Sequence, residues 1–164
     1  MTAAASSVDH ARGAVVAAAR GWIGTPYHHR AALCGVGCDC LGLVRGVWRE
    51  VFGHDVPGLP AYSGDWGDVE GVEGLLKGFE AHLEPQSLLL LHPGDVIVFR
   101  MRPGRIAKHC GIVTAMKGDG AVSFIHAWES TPVAETSLST WWSKRLVAAF
   151  TATREQALHL GGRV

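Results

Sequence analysis

The sequence predicts an α+β domain in which N-terminal helices pack on one face of an antiparallel sheet, and three observations lead there. Apolar residues in the first half recur at helical spacing. The second half breaks into four short β-type runs separated by turn residues. No internal repeat or low-complexity tract interrupts the chain, and helices followed by a strand meander is the α+β order. A length of 164 residues suits one domain with its own core. That domain is expected at residues 1–152, with a loose C-terminal tail at 153–164.

Residues 8–23 place Val8, Ala11, Val15, Ala18, Ala19 and Trp22 on one helical stripe, with Ser7 as the cap and Gly24 as the stop. Residues 24–38, containing Pro26 and several glycines, read as a loop. From Cys40 onward Leu41, Val44, Val47, Trp48 and Val51 share one face while Arg45, Arg49 and Glu50 take the other, a helix of about three turns. Residues 53–67 hold prolines and glycines and read as a surface loop. Residues 68–80 read as a glycine-weakened helix with Val69, Val72, Leu75, Leu76 and Phe79 as its stripe. Strands are expected at 95–99, 109–116, 121–128 and 145–152, with "MRPGR" and "KGDG" as hairpin signals.

Composition removes several classes of function. Fifteen basic and fifteen acidic residues give a formal net charge of zero, so no basic excess drives binding to nucleic acid or to an anionic membrane. No apolar run reaches the ~18 residues a membrane span needs. The alanine-rich N-terminus is interrupted by Asp9, His10, Arg12 and Arg20 and does not read as a signal peptide. Four cysteines are too few for a disulfide scaffold in a chain of this size. Synthesis in the cytoplasm, under reducing conditions, is the expectation.

Three of those cysteines, Cys34, Cys38 and Cys40, cluster in "CGVGCDC". With His28 and His29 they offer enough ligands for a metal, but Cys-x₃-Cys-x-Cys is not a common zinc spacing and no second cysteine pair occurs downstream. Cys40 differs from its neighbours because it opens the helix. There, unpaired backbone N–H groups and the helix dipole favour an anion, and a nearby histidine would draw the thiol toward thiolate. The same N–H groups can form half of an oxyanion hole, and the small Gly42 would let a substrate approach. The alternative is that Cys40 is a small buried hydrophobe.

A nucleophilic thiol needs a base, and the base an orienting partner. His109 and His126 lie on strands either side of the "KGDG" turn. If Lys117 pairs with Gly120, paired positions sum to 237 and His126 faces Gly111. That puts the two histidines on the same face as diagonal neighbours. A turn longer or shorter by one residue would put them on opposite faces. The alternative for His126 is a core histidine packed between Phe124 and Trp128.

Taken together, "GTPY", "GVGCDCLGLVRGVW", "HPGDVIVF", "KHCGIV" and "FIHAW" resemble the NlpC-type, papain-like cysteine peptidases that cleave bacterial cell-wall peptides, over about residues 15 to 150. The resemblance implies a papain-like α+β core, with Cys40 as nucleophile, His109 as base and His126 as the residue that orients it. It implies that Tyr27, Asp39 and Leu41 border the substrate and the oxyanion, and that neither a metal nor an organic cofactor is needed. The usual family pattern is Asp-Cys-Ser-Gly. Here Leu41 replaces the serine, and Cys110 replaces the more usual valine beside the base, read as a packing change.

The stretch "GCDCLGLVRGVWRE" looks like the branch found in phage tail modules and phage-derived gene transfer agents. The resemblance implies an endopeptidase of the peptidoglycan stem peptide, cutting a D-glutamyl–diaminopimelate type bond. It would be carried in a phage-like particle and docked on tail-tip hub proteins, acting on the recipient wall, without nucleic acid or membrane insertion. The alternative is a structural tail-tip protein that keeps the fold and does no catalysis. The roles of the loops expected at 53–67 and 129–143, with Trp66, Trp141 and Trp142 and the adjoining Trp128, stay open between substrate subsites and a protein interface.

Overall fold

A computed structural model describes residues 3–56 and 73–161. Helix α1 (Ala3–Gly21) is followed by a short hairpin of β1 (Ala32–Leu33) and β2 (Gly37–Cys38), then by α2 (Cys40–Phe52) and α3 (Gly74–Glu80). The rest is mainly sheet: β3 (Glu84–Gln86), β4 (Val96–Phe99), β5 (His109–Met116), β6 (Val122–His126), β7 (Ala134–Ser137) and β8 (Leu146–Thr151). A short α4 (Thr140–Ser143) precedes β8, and α5 (Arg154–Gly161) comes after it. The six long-range strands pair antiparallel in the order β3-β8-β4-β5-β6-β7.

Helix α2 forms where the apolar stripe predicts it. Leu41, Val44, Val47 and Trp48 are buried, while Arg45 and Arg49 pair with Asp55 just past the helix end. Gly53 closes it in the left-handed conformation, φ 77°, a geometry that costs glycine nothing. Helix α1 begins earlier than expected, because the good helix formers Ala3, Ala4 and Ala5 extend it back past Ser7. Ser7 therefore lies inside the helix and is not its cap.

Alternating strand residues feed two cores. Val96, Val98, Cys110, Ile112 and Ile125 join α1 and α2 in the larger one. Ile97, Phe99, Val113 and Phe124 face the other way and pack with Trp142 in the smaller one.

Three expectations change. Residues 154–161 form a helix whose Ala157 is fully buried, so this stretch is not a loose tail. The expected loop at 129–143 contains edge strand β7, paired with β6, and helix α4. "AETS" carries no alternating apolar pattern, so only its backbone ladder makes it a strand. The "loop" at 24–38 holds the β1–β2 hairpin. Of the helix expected at 68–80, Gly74–Glu80 is observed with Leu75 and Phe79 buried. Positions 57–72, with Trp66, Val69 and Val72, lie outside the described residues.

Candidate active site

Asp39 fixes the start of α2. Its Oδ1 accepts from the Gly42 N–H at 2.8 Å, capping the helix, and its Oδ2 accepts from the Arg30 N–H at 2.7 Å. With both oxygens engaged and only 2% of the residue exposed, Asp39 shapes the loop and the helix entry. It does not border the substrate as expected. Leu41 is also corrected: it is 1% exposed and belongs to the larger core, so its side chain faces away from any substrate. Helical geometry explains this, since one residue's step of about 100° carries the next side chain off the face that Cys40 occupies. Gly42 is not an approach path either. A Cβ there would lie 1.9 Å from the Ala31 carbonyl oxygen, so the glycine lets the 30–31 backbone cross the first turn of the helix.

Cys40 itself is partly exposed at the N-terminus of α2, where its thiol reaches the Lys108 carbonyl at 3.8 Å. The helix end therefore meets the first residues of β5. A hydrogen bond from the Cys110 thiol draws Cys40 well below the ordinary thiol range; burial opposes this, and the charge and hydrogen bond of His109 add to it. Cys110 moves the opposite way, pushed up by the same bond and by burial, so it stays a protonated donor. Cys110 is fully buried on β5, and its contact with Cys40 gives it more than the packing role expected of it.

The two histidines meet as expected, by a route that the sequence does not show. Ile112 pairs with Ile125 and Val113 with Phe124, the register that sums to 237. Beyond them Ala115 pairs with Ser123 and Met116 with Val122, while the Lys117 N–H donates to the Ala121 carbonyl. The turn is thus one residue longer than expected, and a β-bulge between Val113 and Ala115 absorbs the extra residue. His109 and His126 consequently share a face, with His109 Nε2 2.9 Å from His126 Nδ1. Gly111 makes room for this: a Cβ there would come within 3.2 Å of His126 Cβ and 2.8 Å of the Ile125 carbonyl.

The pair is enclosed by aromatic rings. Trp142 stacks on His109 at 5.4 Å between centroids, and Trp128 stands edge-on to it at 5.0 Å. Phe124 and Trp142 flank His126 at 4.7 and 4.9 Å. Burial, and then the charge of His109, push His126 down to about 3. It is therefore neutral at ordinary pH. Its remaining nitrogen, Nε2, lies 3.2 Å from the Thr136 hydroxyl on β7. Sequence reasoning misses Thr136, because β7 has no pattern that marks it as a strand.

Tyr27 reaches the site through the backbone. The 26–28 segment runs along β2, with the Cys38 N–H donating to Pro26 and the His28 N–H to Cys38, at 3.1 and 3.0 Å. Burial, and after it the nearby charges of Cys40, Asp39 and Glu129, push the Tyr27 hydroxyl up to about 12, so it keeps its proton. The other clustered thiols differ. Cys38 is fully buried and pushed up to about 12 by burial first and then by Asp39, whereas Cys34 is exposed with its thiol 3.5 Å from the Gly21 carbonyl. A separate cavity of about 490 Å³, bordered by His54, His82 and His159, lies at the far end of α2. Among the described residues no group of three or more His, Cys, Asp or Glu side chains is arranged to hold a metal ion.

Solved structures share this fold. The NlpC/p60 domain of the peptidoglycan hydrolase SagA is 24% identical, with a TM-score of 0.60 over 85% of this chain and 97% of that one. An NLP/P60 family protein similar to lipoprotein from Staphylococcus aureus is 23% identical, with a TM-score of 0.58 over 88% of this chain. A NLPC/P60 family protein from Bacillus cereus is 18% identical, with a TM-score of 0.60 over 84% of this chain. The chain spans 42% and 39% of the lengths of these last two. No curated protein sequence matches. The described fold is the α+β papain-like core of those structures, and the NlpC/P60 family model matches residues 24–151: this chain belongs to the NlpC/P60 family.

Proposed function

We propose that this protein is a cysteine endopeptidase of the peptidoglycan stem peptide, with Cys40 as nucleophile, His109 as general base and acid, and His126 as the positioning residue behind it. The observation that carries this reading is the convergence of three independent elements. The start of α2 brings a thiol of lowered pKa, the start of β5 an imidazole, and the end of β6 a second, neutral imidazole 2.9 Å behind the first. Family membership supports it, as does the likeness to a domain of a peptidoglycan hydrolase.

The protonation states set the chemistry. With Nε2 of His109 bonded to His126, its Nδ1 is the nitrogen left for Cys40. The Cys40 proton passes to that imidazole, and the thiolate sulfur attacks the scissile carbonyl carbon. The carbonyl π electrons move to oxygen, to which the Cys40 backbone N–H at the helix start and the protonated Tyr27 hydroxyl donate. As the tetrahedral centre collapses the C–N bond breaks, and His109 gives its proton to the departing amine. Water then adds to the thioester, His109 takes its proton, and the sulfur leaves as thiolate. His126 accepts a hydrogen bond from His109 throughout. Being neutral, it orients the ring without adding a charge to it.

The finer reading is a D-glutamyl–diaminopimelate type bond, cut when a phage-like tail delivers the protein to a recipient wall. Family membership supports the bond type. The "GCDCLGLVRGVWRE" run, which looks like the tail-module branch, supports the delivery route.

Digestion of purified peptidoglycan, with products identified by mass spectrometry, tests the activity. Wild type should release stem-peptide fragments and Cys40→Ser should not. Equal release by both would overturn the nucleophile assignment, and no release by wild type would favour a structural role. Finding the chain by mass spectrometry in purified tails would support the delivery route, and its absence would end it.

A further inference from the structure

The second ring of the histidine pair has its own partner on a different strand. His126 ends β6, and β7 runs antiparallel beside it with Phe124 opposite Thr136 and His126 opposite Ala134. Thr136 is therefore a diagonal neighbour of His126 on the same face of the sheet. Its hydroxyl oxygen lies 3.2 Å from His126 Nε2, while His126 Nδ1 is taken up by His109.

Strand β7 is held so that this oxygen stays in place. An edge strand without apolar alternation has a weakly specified register, but side-chain and backbone bonds pin this one. On the opposite face Glu135 accepts from the Thr114 hydroxyl of β5 and pairs with Arg20 of α1 at 3.5 Å. At its two ends the Val133 N–H donates to the Thr25 carbonyl at 2.9 Å, and the Leu138 N–H to the Val122 carbonyl at 2.8 Å.

The chemistry decides which way the His126–Thr136 bond runs. On the peptidase reading above, the reactive state pairs a Cys40 thiolate with a doubly protonated His109. Both nitrogens of that imidazolium are donors, so His126 Nδ1 must accept and the proton of neutral His126 sits on Nε2. His126 is 5% exposed, and the other rings packed on it are Phe124, Trp128 and Trp142. None of these three carries an acceptor atom. The Thr136 oxygen takes that role, and a buried N–H stripped of its acceptor costs more than a satisfied bond contributes. In the opposite tautomer His126 Nδ1–H would donate to His109 Nε2. The His109 proton would then sit on Nδ1, the nitrogen that has to receive the Cys40 proton.

We propose that Thr136 is a positioning residue for the catalytic pair. Its oxygen holds the His126 proton on Nε2 and so keeps Nδ1 open to accept from His109.

Thr136→Val removes the oxygen at nearly the same size and suits a strand, whereas Thr136→Ser keeps the oxygen. Each variant is read by steady-state kinetics on a stem peptide, by the ring-nitrogen NMR signals of His126 and by thermal melting. Wild type should show a protonated Nε2 and a bare Nδ1. Thr136→Val should lower kcat about tenfold with KM unchanged, the scale of one buried donor left unpaired, and should weaken that tautomer signature. Thr136→Ser should recover most of both. Unchanged kcat and ring signals in Thr136→Val would overturn the role. Equal losses in the two variants, or a loss of kcat that follows a lowered melting temperature, would also overturn it. If wild type cuts no peptide while the ring signals respond to Thr136→Val and not to Thr136→Ser, the peptidase reading fails and the positioning role stands. If wild type cuts and its His126 carries the proton on Nδ1, the reverse holds.

Discussion

His109 Nε2 lies 2.9 Å from His126 Nδ1, so one of these two nitrogens donates its proton to the other. His126 is pushed down to about 3 by burial and then by the His109 charge, so it is neutral. In the proposed mechanism His109 is the donor, so His126 Nδ1 accepts and its Nε2–H is left to donate to Thr136 Oγ1, 3.2 Å away.

A neutral acceptor can be replaced by another neutral acceptor. His126→Ala should lower kcat by about 10- to 100-fold with little change in KM, since it frees the base to rotate out of line. His126→Asn, which restores an acceptor oxygen, should recover part of the loss. Steady-state kinetics on a stem-peptide substrate reads both.

The same depressed basicity makes stability depend on pH. The unfolded His126 takes up its proton near about 6.5, whereas the folded one resists protonation down to about 3. Between those values the unfolded chain binds more protons, so folding loses up to ~1.4 kcal/mol per pH unit as the pH falls. Thermal melts from pH 7 to pH 4 should show a steeper fall for wild type than for His126→Asn. Parallel curves would contradict the neutral assignment.

The first turn of α2 depends on a missing side chain. Gly42→Ala would set a Cβ 1.9 Å from the Ala31 carbonyl oxygen, a backbone atom that cannot swing aside. The variant should be destabilised by about 1–3 kcal/mol, the usual cost of overpacking, and activity should fall with it because Asp39 and Cys40 start the same turn. Denaturant unfolding alongside the kinetics measures this.

The register expected at the histidines comes from counting outward from the assumed Lys117–Gly120 closure of the turn. The bulge between Val113 and Ala115 is not legible, since no residue there is reserved for it. The expected turn is short by one residue and the expected ladder lacks a bulge, and the two errors cancel at the site. The Cys40 stripe on α2 is legible from period alone. The burial of Leu41 belongs to that same stripe, which places it on the core face. The expectation of a substrate-side role came from the resemblance and overrode the periodicity. Strand β7, and with it Thr136, is hidden because its ladder to β6 is long-range backbone pairing that "AETS" does not encode locally. Helix α5 reads as a tail because its stripe is short; packing against α1, with Ala157 buried, is what defines it.

The Cys110 thiol, acting as a hydrogen-bond donor, contributes most to lowering the Cys40 pKa. Cys110→Val removes that donor at little change in volume, so the Cys40 pKa should rise. Activity that requires the thiolate would then be lost at higher pH on the acidic side of the kcat/KM profile. Cys110→Ser keeps a donor and should stay near wild type. Coincident acid limbs for wild type and Cys110→Val would remove Cys110 from the account.

The central claim is that the surroundings of Cys40 hold it as a thiolate, while those of Cys38 and Cys110 keep their protons on. The rate of iodoacetamide alkylation at each cysteine, measured against pH by peptide mapping, tests it most directly. Cys40 should react with a midpoint well below the ordinary thiol value of about 8.5, and His109→Ala should move that midpoint upward. Cys38, fully buried, should stay unmodified in the folded protein. A Cys40 midpoint at the ordinary value, or one that His109→Ala leaves unmoved, would contradict the account.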